Sequence, residues 1–177
     1  LPAFNYRVLT DRLPNTTRAF TDITDQTGIK YKHIENPFIE FDREPLIPRM
    51  VSREGPALAI GDANGDGLED VFIGSSKENK PAIFFQQSNG TFLHSRQSAL
   101  EADSMFEETD ACWVDANKDG FVDLIIASGG NEYYGEDEHL TPRVFLNDGR
   151  GNFNKKKDAF NKLYLTASCV LPYDFTG

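Results

Sequence analysis

Short apolar runs alternate with polar, turn-forming residues along most of the chain. The runs are rich in Val, Ile and Phe and are bounded by Gly, Asn, Asp or Pro, as in "PALAIGD" at 56–62 and "DLIIAS" at 123–128. Such runs are typical of β-strands. Residues 95–108 are the best helical candidate, and they predict at most a short helical turn. The pattern therefore predicts an all-β protein.

Two stretches of the chain repeat one another. "PALAIGD" and "DACWVD" (110–115) precede similar aspartate-rich loops, and "DVFIGS" (70–75) and "DLIIAS" follow them. Further on, "IFFQQSNGTF" (83–92) aligns with "VFLNDGRGNF" (144–153), an apolar strand that enters a glycine turn and resumes at Phe. Each unit contains four strands and recurs after roughly 50–60 residues, which is about the size of a β-propeller blade. We predict four-stranded antiparallel blades.

The repeat divides the chain into five segments. Residues 1–29 are expected to supply outer strands of a preceding blade, because 18–29 resembles the sequence that follows Phe92 and Phe153. Residues 30–54, with three prolines, form an irregular insertion. The remaining segments are a blade with the first loop (55–108), a blade with the second loop (109–165) and the start of a third, truncated blade (166–177). The chain opens without Met and stops early in the third copy, so we expect a longer natural polypeptide.

The two loops, "DANGDGLED" at 62–70 and "DANKDGFVD" at 115–123, have the composition of a calcium site. Ca²⁺ binds six to eight oxygens at about 2.3–2.6 Å. Side chains at loop positions 1, 3, 5 and 9 and the carbonyl at position 7 can converge on one ion, and glycine at position 6 permits the sharp turn. The predicted ligands are Asp62, Asn64, Asp66, Leu68 and Asp70 in the first loop, and Asp115, Asn117, Asp119, Phe121 and Asp123 in the second. "DFTG" at 174–177 begins a third site, incomplete at Asp174.

Two alternatives to this interpretation were weighed. An EF-hand shares the first six positions but requires Glu at position 12 between two helices, whereas position 12 here is Ile73 or Ile126 between strands. An ion-free Asx turn stays open as an alternative, because Asp, Asn and Gly favour turns without a metal.

The pattern D-x-N-x-D-G-x-x-D between two strands, followed by the "FLNDGRGNF" hairpin, resembles the FG-GAP/VCBS repeat of integrin-α-like β-propellers. The stretches "GPALAIGDANGDGLEDVFIG" and "ASGGNEYY" further resemble large secreted or outer-membrane VCBS-repeat proteins of Bacteroidetes, some with ASPIC/UnbV-type modules. The resemblance covers residues 20–177. It implies a fragment of a propeller of about seven blades, with calcium in the loops between inner strands. It also implies an extracellular, outer-membrane or cell-surface location.

Charge and composition narrow the range of partners. The formal net charge of −10 argues against nucleic acid, since phosphate binding needs clustered Lys and Arg. No apolar stretch approaches the length needed for direct membrane insertion. Cys112 and Cys169 lie in apolar runs and are predicted to be buried free thiols rather than a disulfide. Two or three blades cannot close a ring, so we expect self-association through unclosed blade edges.

The loop at 129–142 is longer than its counterpart in the first unit and is rich in acids and aromatics. Glu132, Tyr133, Tyr134, Glu136 and Asp137 form a candidate ligand loop; the alternative is a solvated surface loop. The sequence favours a non-enzymatic, calcium-binding scaffold for adhesion to a protein or glycan. The alternative function is a propeller-type polysaccharide lyase or hydrolase that uses acids such as Glu132 and Asp137.

Overall fold

The computed structural model describes residues 21–175. The first unit contains strands β1 (Leu58–Gly61), β2 (Asp70–Ile73), β3 (Ala82–Gln86) and β4 (Phe92–Ser95). The second contains β5 (Glu108–Val114), β6 (Asp123–Ser128), β7 (Arg143–Asn147) and β8 (Phe153–Lys155). Two one-turn α-helices, α1 (Thr24–Thr27) and α2 (Ser98–Glu101), and two 3-10 helices (Glu40–Asp42 and Glu138–Leu140) complete the elements of this range.

The eight strands form two separate four-stranded antiparallel sheets, ordered β1-β2-β3-β4 and β5-β6-β7-β8. The prediction of an all-β fold with four-stranded antiparallel units is therefore confirmed. The second and third strands pair in the same register in both sheets: Ile73 pairs with Ala82 in the first sheet, and Ile126 pairs with Arg143 in the second. Within residues 21–175 the two sheets do not close into a ring.

The hydrophobic core lies between the two sheets. Its fully buried side chains come from both units and include Phe72, Ile83, Leu124, Ile126 and Phe145. β1 lies against β5, and a Cβ on Gly61 would come within 2.9 Å of the Trp113 ring, so glycine allows this close approach. β2 alternates between buried and partly exposed residues, whereas β3, β6 and β7 are buried over consecutive residues.

Gln97 links the two sheets directly. Its side-chain Nε2 donates to the carbonyl of Gly151 at 2.8 Å, and its Oε1 accepts from the Phe153 N–H at 3.1 Å. The residue is 7 % exposed. Buried side-chain bonds of this kind fix the position of one sheet against the next.

The segments outside the sheets are mostly irregular. Residues 30–54 contain one 3-10 helix and no strand, and the buried Glu40 carboxylate there accepts the N–H groups of Val51 and Ser52. Residues 21–29 contain α1; the outer strand expected within 1–29 otherwise falls on residues 1–20, outside the described range. Both cysteines are free, as predicted, but Cys169 is exposed and Cys112 only half-buried. The expectation that both thiols are buried is wrong, because Cys169 follows the last strand rather than lying within a sheet.

Candidate functional site

The two nine-residue loops adopt the same backbone conformation. Position 6 has a positive φ in both, 85° at Gly67 and 92° at Gly120. Position 4 does too, at Gly65 (79°) and at Lys118 (63°), where the second loop places a non-glycine residue in the left-handed region. The glycine turn at position 6 is confirmed, and the sharp bend at position 4 is an additional feature that the sequence did not indicate.

Side chains at positions 1, 3 and 5 organise each loop through backbone N–H groups. Asp62 accepts from Asp66 N at 3.1 Å and from Gly67 N at 2.9 Å. Asp115 accepts from Asp119 N and Gly120 N at the same distances. Asn64 and Asn117 each accept from the N–H two residues on, at 2.9 Å. The loops are therefore pre-formed Asx-turn structures whose oxygens face the loop interior.

The aspartate at position 9 has a different environment from the other loop side chains. Asp70 and Asp123 are both 0 % exposed. One oxygen of each accepts a loop N–H, from Ala63 or Ala116 at 2.9 Å. The other oxygen accepts the N–H at the end of the third strand, from Gln86 or Asn147 at 2.8 Å. This carboxylate therefore joins its loop to the neighbouring strand.

The charges of the first loop act on one another. Burial raises the pKa of Asp70 above the usual aspartate value, although its hydrogen bonds to Gln86 N and Ala63 N oppose the shift. The negative charges of Asp66 and Asp62 raise it further. The three carboxylates are thus close enough to repel. Over residues 21–175 no group of three or more His, Cys, Asp or Glu side chains is already arranged around a metal position.

The remaining predicted ligands lie at the loop ends. Leu68 donates its N–H to the Asp66 side chain at 2.8 Å, and Phe121 does the same to Asp119 at 2.9 Å. The Phe121 ring is 43 % exposed and packs over Gly149 of the β7–β8 turn. At the start of the third copy, Asp174 is exposed, while residues 176 and 177 fall outside the described range.

The candidate ligand loop at 129–142 makes several contacts within the chain. Glu132 pairs with Lys77 at 2.6 Å and accepts from Asn36. Tyr133 stacks on His139 with ring centroids 4.4 Å apart and donates its hydroxyl to the Met105 carbonyl at 3.0 Å.

Asp137 in the same loop accepts the His139 N–H at 2.9 Å and lies 2.7 Å from His139 Nδ1. Of the five predicted ligand-loop residues, Tyr134 (80 % exposed) and Glu136 are open to solvent. Glu132, Tyr133 and Asp137 instead hold the loop in place.

Two polar residues that the sequence did not single out make buried side-chain hydrogen bonds to distant parts of the chain. Asn147 donates to the carbonyls of Ala63 at 2.7 Å and Val122 at 2.9 Å, and so joins the β7–β8 turn to the first loop. Arg143 is 3 % exposed and bonds to Glu108 at 2.9 Å. The alignment of the two units could have identified Arg143, because the equivalent position of the first unit is an alanine, Ala82.

The class of protein defined by these features is an all-β repeat protein with blade-like sheets and aspartate loops between the first two strands of each. Residues 62–126 match the model of the family described as FG-GAP-like repeat. The matched segment begins at the first residue of the first loop and ends in β6, so it includes both nine-residue loops. The resemblance to FG-GAP repeats is therefore supported over that segment.

The remaining findings concern relatives of the chain and its location. A search of curated proteins finds no match. FG-GAP repeats are typical of extracellular proteins. None of the helices found between residues 21 and 175 has the length and apolar character that crossing a bilayer requires.

Proposed function

We propose that the protein is a calcium-binding β-propeller segment of an extracellular or cell-surface protein that acts as a scaffold for a protein or glycan ligand. The observation that carries the proposal is the hydrogen-bonded geometry that the two loops share, in which position 1 accepts the N–H groups of positions 5 and 6 and the aspartate at position 9 is buried. Closure into about seven blades, as in VCBS-repeat propellers, belongs to this proposal.

The oxygen donors suit a hard cation. Carboxylate, amide and carbonyl oxygens are the ligands that Ca²⁺ prefers, and each carboxylate oxygen that accepts one N–H keeps a second lone pair. In the first loop Asp62, Asn64 and Asp66 with the Leu68 carbonyl and Asp70 would hold the ion. The second set is Asp115, Asn117, Asp119, the Phe121 carbonyl and Asp123. A divalent cation would offset the electrostatic repulsion between Asp70 and the carboxylates of Asp62 and Asp66, which raises the pKa of Asp70.

Calcium titration tests the proposal. Addition of CaCl₂ to the 177-residue chain in chelator-treated buffer is expected to raise the melting temperature, because an ion that binds only the native state stabilises it by about 2.7 kcal/mol per site at a hundredfold excess over Kd. Extracellular calcium modules bind with Kd of about 10⁻⁴–10⁻³ M. Calorimetry should return two sites.

Matched variants assign the sites. Asp66→Ala should leave one site of the two, and Glu69→Gln, at the non-ligand position 8 of the same loop, should leave both. A melting temperature and a heat signal that stay constant up to about 10 mM calcium, roughly tenfold above the weakest Kd of that class, would contradict the proposal.

The candidate ligand surface is the loop at 129–142, with Tyr134 and Glu136 exposed on a framework fixed by Glu132, Tyr133 and Asp137. Long loops on a rigid sheet scaffold are common binding sites. The chain is also predicted to self-associate through its edge strands, β1, β4, β5 and β8. Light scattering of the isolated chain, which measures its mass in solution, tests this prediction.

A further inference from the structure

A cavity of about 360 Å³ lies beside the outer end of the second sheet. It is enclosed by the start of β7, the end of β8 and the turn-rich segment 156–164 that follows β8. β7 begins at Arg143, whereas the calcium loop of this sheet contacts the other end of β7 at Asn147. The cavity is therefore separate from both nine-residue loops.

The lining is basic in a chain whose net charge is −10. Five basic residues line the cavity against two acidic ones, Glu138 and Asp158. The basic set is Arg143, Lys155, Lys156, Lys157 and Lys162. Arg143 pairs with Asp103 and Glu108, and Lys155 pairs with Asp103 at 2.7 Å. The other three lysines form no ion pair with residues 21–175, so their charges are available to a ligand.

A buried donor at the cavity has no acceptor. The Arg143 side chain is 2 % exposed, and its two terminal nitrogens bond to Asp103 and Glu108. Its Nε is buried without a hydrogen-bond partner in the described part of the chain. The first unit lacks this feature, because Ala82 occupies the equivalent register position.

Aromatic and amide groups complete the lining. Phe106, which lies 3.9 Å under the Arg143 guanidinium, is joined by Phe160 and Tyr164, and Asn161 adds an amide. Aromatic faces beside hydrogen-bonding groups suit a sugar ring, and the basic groups suit a carboxylate or sulfate on it. The volume lies near the lower end of small-molecule sites, which run from about 300 to 1,000 Å³.

We infer that this cavity binds an acidic sugar, a ring that carries a carboxylate or a sulfate group, within a glycan. The anion meets the ammonium groups of Lys156, Lys157 and Lys162, while the ring lies against the aromatic side chains. The site does not require calcium in the loops, because no loop residue lines it. A failure of calcium binding and a failure of this site are therefore separate results.

The test is isothermal titration of the full chain with four probes: trigalacturonate, a sulfated chondroitin disaccharide, neutral cellotriose and a single-stranded oligonucleotide. Binding of either acidic sugar, without binding of cellotriose, is expected, and the stronger of the two identifies the anion. Affinity should fall as salt rises. Absence of binding by both acidic sugars, equal binding of cellotriose, or binding of the oligonucleotide alone would overturn the inference.

Variants locate the binding. Lys157→Gln and Lys162→Gln are exposed substitutions, and each should weaken the acidic sugar by roughly fivefold, as expected for a lost charge-assisted contact. Lys32→Gln removes an equal charge at an exposed residue that does not line the cavity, and it should leave affinity unchanged. Wild-type affinity in both lysine variants would overturn the assignment.

Discussion

Asp123→Ala is expected to lower the free energy of unfolding by about 2–5 kcal/mol in calcium-free buffer. The carboxylate is fully buried, and alanine would leave the N–H groups of Ala116 and Asn147 without their acceptor. Each buried donor left unpaired costs about 1–3 kcal/mol. Urea denaturation followed by circular dichroism, with a chelator present, measures the loss apart from any metal.

Asp119→Ala is the matched control, because it removes a carboxylate of the same loop that is exposed and accepts one backbone N–H, from Phe121, and one exposed side-chain amide, from Asn117. Its cost should stay below about 1 kcal/mol, in the range of exposed substitutions. Asp70→Ala should reproduce the Asp123 effect in the first sheet, since its contacts are the same. Equal stabilities of the Asp119 and Asp123 variants would contradict a clamping role for position 9.

Much of the fold could be predicted from local pattern. "DLIIAS" coincides with β6, and the two Phe-terminated hairpins are β3–β4 and β7–β8. The alternation of apolar and polar residues and the turn-forming residues are local features, so they can be recognised directly in the sequence. The same is true of the loop glycine at position 6, whose positive φ follows from its lack of a Cβ.

The parts that could not be predicted depend on contacts between distant residues. The sequence indicates only a loop-ligand role for Asp70 and Asp123, because their bonds to Gln86 and Asn147 form only when the third strand has paired. Likewise, Gln97 looks like an ordinary polar residue until the two sheets pack, and Arg143 does so until β5 and β7 lie in one sheet. Hydrophobic periodicity identifies buried apolar positions but does not indicate which polar groups are buried with them.

Glu107 should give the protein a stability that falls as the pH rises. The side chain is 2 % exposed; one oxygen accepts the Lys77 N–H at 3.0 Å, and the other is buried with no partner among the residues described. Burial raises the pKa of Glu107 to about 8. The hydrogen bond from Lys77 N opposes this shift, whereas the negative charges of Glu35, Glu132 and Glu108 add to it.

The sign of the pH effect follows from which state binds the proton. Below the unfolded-state pKa, 4.5, both states are protonated and the stabilising contribution of Glu107 is fully present. Between that value and about 8 the unfolded chain releases the proton while the native state keeps it, so stability decreases. Above this range both states are ionised and the contribution is lost. The change is on the order of a few kcal/mol, since one pKa unit corresponds to about 1.4 kcal/mol.

Glu107→Gln should remove this component, because the amide keeps an acceptor for Lys77 N and carries no charge at any pH. Chemical denaturation should be measured from pH 4 to 9, roughly the span that brackets both pKa values. The free energy of unfolding of the variant should increase relative to that of the wild type as the pH rises. The readout is the difference between the two proteins, because Glu108 is also buried and its pKa is raised by that burial. Glu78→Gln, an exposed change nearby, controls for the loss of one negative charge. If wild type and Glu107→Gln differ by the same amount at pH 5 and pH 8.5, Glu107 is not held protonated by its buried surroundings.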